Sequence, residues 1–89
     1  MNEKDTVDYK SMSISQLALV IKRDWTNVWF GAVPYLQAMR QLHSINDTYI
    51  VESGRGIVLG FLCNASTWRG PVAREIKAEL KRRDRKSVV

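Results

Sequence analysis

Eighty-nine residues, 45% of them apolar and 26% charged, describe one small globular domain rather than a disordered chain or a pair of domains. One cysteine, Cys63, and one histidine, His43, exclude an internal disulfide and the four-ligand Cys/His zinc sites, and no apolar run approaches the ~18 residues of a membrane span. The net charge of +5 is localised: residues 1–68 hold six Lys/Arg against six Asp/Glu, whereas residues 69–89 hold eight Lys/Arg against three Asp/Glu.

Residues 1–10 show no periodicity and read as a flexible N-terminal arm, too polar and mixed in charge for a signal peptide. Ser13-Ile14-Ser15-Gln16 has the form of a capping box, in which the Ser13 hydroxyl and the Gln16 side chain each satisfy an amide of the first turn. Ile14, Leu17, Ala18, Ile21 and Trp25 follow at helical spacing, which predicts a helix over 13–25. Residues 26–31 read as a connection. Pro34 suits the first turn of a second helix, continued by Leu36, Met39 and Leu42 and stopped near His43 by Ser44, Asn46 and Asp47.

Ser53-Gly54 fits the start of a third helix carrying Ile57, Val58, Phe61, Leu62 and Ala65, although the same residues suit a buried strand. Helix is the better reading, because a lone apolar strand in a helical chain has nothing to pair with. Gly56 and Gly60, four apart, would then admit a close neighbour, and Tyr49 to Val51 allows a brief extended piece. Gly70-Pro71 opens a last helix with Val72, Ala73, Ile76 and Leu80 on its buried face, and Past Asp84 it should fray. The expected fold is all-α, a compact single-domain bundle of about four short helices over 11–84, with a frayed tail at 85–89.

Two strings, Asp24-Trp25-Thr26-Asn27-Val28-Trp29-Phe30-Gly31-Ala32-Val33-Pro34-Tyr35-Leu36 and Phe61-Leu62-Cys63-Asn64-Ala65-Ser66-Thr67-Trp68-Arg69-Gly70, resemble short hypothetical proteins of bacteriophages, prophages and related bacterial mobile elements. The resemblance spans about residues 13–82. It implies a phage or prophage accessory product acting in a bacterial cytoplasm, and it assigns no activity and no site residue.

Chemical motifs are sparse. Gly54-x-Gly56-x-x-x-Gly60 is one residue too long for a dinucleotide fingerprint and lacks a surrounding βαβ unit, so a packing role is expected. Cys63 lies in the most apolar run and reads as a small hydrophobe rather than as the nucleophile of a dyad with His43. Asp47 and Glu52 are a loop carboxylate pair of an ordinary kind. No catalytic residue, cofactor, metal, membrane or small-molecule substrate is implied. The aromatic residues Trp25, Trp29, Phe30 and Tyr35, with Trp68, fill a core or anchor a partner, since Trp, Tyr and Arg are enriched at binding hot spots.

Two functional expectations follow. The first is a non-enzymatic protein that binds a host or phage protein through Trp29, Tyr35 and Trp68, with Trp29 foremost. The alternative is sequence-independent nucleic-acid binding by the last helix, through Arg74, Lys77, Lys81, Arg82 and Arg85. That helix lacks the Asn or Gln that reads adenine edges, so phosphate contact is the form to expect.

Overall fold

The computed structural model describes residues 8–86, and most of the expected arm, 1–7, and the end of the tail, 87–89, lie outside the described residues. A short 3-10 turn, Tyr9–Ser11, precedes α1 (Ile14–Asp24). Ser13 caps α1 as the sequence predicts: its Oγ accepts from the Gln16 amide, and Gln16 Oε1 accepts from the Ser13 amide. The two amides that this box leaves unsatisfied find tertiary partners, since Ile14 donates to the His43 carbonyl and Ser15 to that of Leu42. The start of α1 is thereby tied to the chain that follows the second helix.

A second 3-10 turn, Phe30–Ala32, leads into α2 (Val33–Met39), which has Pro34 in its first turn. This helix ends at Met39, before the expected stop near His43. Turn bonds at Gln41 and Leu42 carry the chain to a bend that Asp47 organises by accepting from the amides of His43 and Ser44. Those backbone donors, Ser44 first, hold the Asp47 carboxyl below its usual range.

The all-α expectation is corrected at one place. Strands β1 (Thr48–Tyr49) and β2 (Glu52–Ser53) form an antiparallel hairpin in which Thr48 faces Ser53 and Tyr49 faces Glu52. The fold is mostly helical, with α3 (Gly54–Cys63) and α4 (Pro71–Lys86) completing four α-helices among the described residues. Ser53 caps α3 through the Gly56 amide, and Gly70, at φ 114°, turns the chain into α4. The glycine expectation holds for Gly60 and not for Gly56. A Cβ on Gly60 would run into the Tyr35 ring of α2, whereas one on Gly56 would meet its own cap, Ser53. Gly54 makes the other close approach, against the Ile45 and Asp47 carbonyls.

The helices form a square in which α1 and α3 each pack on both α2 and α4. Its core holds Ile14, Leu17 and Ile21 of α1, Leu36 and Met39 of α2, Ile57, Val58 and Phe61 of α3, and Ala73, Ile76 and Leu80 of α4. These are the stripes that the helical spacing marks out. Cys63 departs from expectation, because it lies exposed on the outer side of α3.

Leu17 and Ile76 are fully buried on facing helices, so Leu17→Ala and Ile76→Ala should each cost about 2–5 kcal/mol, a large part of the stability of a small domain. Leu19→Ala, at an exposed position of the same α1, should change stability by less than about 0.5 kcal/mol. Urea midpoints decide the matter, and a wild-type midpoint for either buried variant would remove that residue from the core.

Candidate docking surface

The surface begins where α1 ends. Beyond Trp25 the chain runs over residues 26–29 without helix hydrogen bonding and then enters the turn at Phe30. The Trp29 indole lies over Gly31, where a Cβ would sit 2.5 Å from Nε1 and 2.9 Å from Asn64 Oδ1. Asn64 is held in turn, its Nδ2 donating to the Gly60 carbonyl at 2.8 Å. So placed, Trp29 is 47% exposed, and the neighbouring Phe30 is 73% exposed with its ring centroid 4.3 Å away.

The hairpin displays a second exposed apolar pair. Its two turn residues, Ile50 and Val51, are 79% and 88% exposed. Ile50 has φ 59°, a left-handed conformation that hairpin turns normally give to Asn, Asp or Gly and that costs a side-chain-bearing residue about 1–2 kcal/mol. Beside this tip lies an open hollow of about 610 Å³, floored by Pro34, Tyr35 and Ala38 of α2 and by Ile57 and Asn64, whereas Trp29 and Phe30 line a separate hollow of about 720 Å³ with Trp25, Thr67 and Arg69. Of the six large apolar side chains exposed among the described residues, Ile50 and Val51 line this hollow and Trp29 and Phe30 the other. Scattered exposed apolar residues need no explanation, but a contiguous apolar patch commonly marks an interaction surface.

The structure places Tyr35 in the hairpin hollow and Trp29 in the neighbouring one, to which buried Trp68 contributes only an edge. Trp68 is 2% exposed, stacked on Trp25 at 5.9 Å and edge-on to Phe61 at 6.2 Å. Its Nε1 donates to Asp24 Oδ2 at 2.8 Å, so this tryptophan is a core residue and offers nothing to a partner. Phe30, Ile50 and Val51 take its place on the surface. Phe30 stood in the aromatic group of the sequence, whereas nothing local distinguishes an exposed Ile50-Val51 from a buried strand.

The basic stripe of α4 is also thinned. Lys77 turns inward, its Nζ donating to the carbonyls of Ala65 and Trp68 at 2.7 Å each, 5.8 Å from the centre of the Trp68 ring. Desolvation, then the nearby charges of Lys81 and Arg69, lower its pKa. Arg82 is engaged in a two-pronged bond to Glu79, which is 6% exposed rather than on a solvated flank. Arg83, one helical turn on, joins the same carboxylate, and its Nη2 reaches the Tyr9 and Lys10 carbonyls, fastening the N-terminal turn to α4. Arg74, Lys81 and Arg85 remain exposed and make no ion pair among the described residues.

Hydrogen bonds from Arg82 and then Arg83 outweigh desolvation and lower the Glu79 pKa to about 2. A depressed carboxylate contributes stability that is full above its unfolded value and is lost as pH falls through the folded one. Wild-type stability should therefore decline between about pH 4.5 and pH 2. Glu79→Gln should cost about 1–3 kcal/mol at neutral pH and flatten that acid limb, as read from urea midpoints against pH. An unchanged acid limb in the variant would assign the decline to other carboxylates.

Among the described residues no cluster of His, Cys, Asp and Glu is arranged to hold a metal ion, and no helix is long and apolar enough to cross a membrane. No protein-family model, curated protein or solved structure matches the chain.

Proposed function

We propose that this chain is a non-enzymatic binding protein, a phage- or prophage-type accessory product that docks on a host or phage protein through the face of Trp29, Phe30, Tyr35, Ile50 and Val51. The observation that carries this reading is the display of four large apolar side chains in two hollows, Ile50 and Val51 in one and Trp29 and Phe30 in the other, with Trp29 lying over Gly31 at the edge of the first and Ile50 on a strained turn. Exposing Ile at a left-handed position is unfavourable twice, through backbone conformation and through solvation, and a functional demand on the tip accounts for both. The carboxylates support a role without catalysis. Asp47 is taken up by two amides and Glu79 by two arginines.

A second reading, phosphate contact by α4, is favoured by the exposed and unpaired Arg74, Lys81 and Arg85. Lys77 and Arg82 are engaged within the fold and drop out of it.

Capture of partner from a bacterial host lysate separates the two. With nuclease present, Trp29→Ala should weaken capture by about 30-fold, as loss of an anchor worth about 2 kcal/mol does. Joint replacement of Arg74, Lys81 and Arg85 with Ala should leave it intact. Should the pattern reverse, α4 is the working surface, and the triple change should then lower the log–log salt slope of duplex DNA binding by about 0.9 for each lost contact.

A further inference from the structure

The charge around the hollow has the opposite sign to that of the chain. Glu52 is the one charged residue among those that line it, in a protein of net charge +5. Its carboxylate is exposed and has no ion pair among the described residues. The cation nearest in sequence, Arg55, is drawn away to Asp84 of α4. The exposed cations Lys22, Arg23, Arg40 and Arg69, and Arg74, Lys81 and Arg85 of α4, do not line this hollow. Glu52 therefore sets the local field where a partner would sit.

Tyr49 stands directly across the hairpin from Glu52, and both line the hollow. Opposed side chains on one face of a strand pair lie within about 4.5–5.5 Å at Cβ. A cation seated there meets a carboxylate and an aromatic ring together. An apolar occupant without a cation would strip water from Glu52 and return nothing, whereas an acidic one would meet like charge. The hollow is open and extends from Gly31 and Pro34 to the Ile50–Val51 tip, a shape that suits a stretch of polypeptide.

On the basis of the docking reading above, we infer that the occupant of this groove is an apolar peptide segment bearing one Lys or Arg, whose cation pairs with Glu52 beside the Tyr49 ring.

The probe is a library of random twelve-residue peptides, selected on the immobilised full chain and followed by affinity measurement with the most enriched peptide. Enrichment of Lys or Arg at one position next to two or more apolar positions is expected. Glu52→Lys should weaken that peptide by about tenfold or more, and reselection on the variant should exchange the base for Asp or Glu. Glu52 is exposed, so this variant should keep the wild-type urea midpoint. Ile50→Asn should weaken binding while raising the midpoint, because Asn tolerates the left-handed turn and removes an exposed apolar side chain.

Peptides that require Trp29 and Ile50 yet ignore Glu52→Lys would overturn this inference and leave the docking reading standing. Acidic peptides that depend on Arg74, Lys81 and Arg85, or the absence of any enriched peptide, would overturn the inference and withdraw support from the docking reading as well. A dimer in sedimentation equilibrium that Ile50→Asn dissociates would place a second copy in the groove and overturn the inference equally.

Discussion

The burial of Trp68 is the constraint on which the rest of the structure depends. An indole inside a protein must satisfy its N–H as well as its rings, and the contacts that do so here reach both α1 and α3. The rings meet Trp25 at the end of α1 and Phe61 of α3, and the N–H is bonded to Asp24. The backbone carbonyl of the same residue accepts from Lys77 of α4. One loop residue thus sets the ends of three helices relative to one another. The connection from α3 to α4 is ordered by these long-range bonds together with local turn bonds such as that from the Trp68 amide to the Ala65 carbonyl.

That arrangement bears directly on the surface. Trp25 is drawn inward to stack on Trp68, and the chain beyond it must leave α1 at a point that sends Trp29 outward over Gly31. Gly60 lets Tyr35 lie close on α3, which lowers the floor of the hollow. Gly54, pressed on the Ile45 and Asp47 carbonyls, brings the hairpin back against the start of α3 and lifts its tip beside the groove. The docking face is therefore a product of core packing, with each wall positioned by a glycine that a larger residue would displace.

The charges divide in the same way. Glu79 absorbs Arg82 and Arg83, Asp84 takes Arg55, and Lys77 is spent on two carbonyls. What looks in composition like a strongly basic C-terminal segment is, in three dimensions, partly an internal clamp that holds the N-terminal turn and the loop after α3. A net charge counts groups, whereas a binding surface is made of the groups left without partners. By that measure the cations free of ion pairs among the described residues are spread over α1, the end of α2 and α4, and the one charge that lines the groove is acidic.

The parts of this protein legible in its sequence are those whose physics is local. The capping box at Ser13, the Ser53 cap, Pro34 and Pro71 in first turns, and the apolar stripes of α1, α3 and α4 all rest on contacts within a helical turn, so spacing alone reveals them. Trp29 as the exposed tryptophan was legible too, since it lies past the periodic face to which Trp25 belongs. The tertiary structure alone decided that Trp68 is interior, that Lys77 points inward, that Glu79 is buried, that Cys63 is exposed and that Ile50-Val51 forms a displayed turn. Trp68 meets Asp24 across 44 residues of sequence and Arg83 meets Tyr9 across 74. Local periodicity says which side of a helix is apolar, but the identity of a buried polar group's partner depends on which distant segment the fold brings beside it.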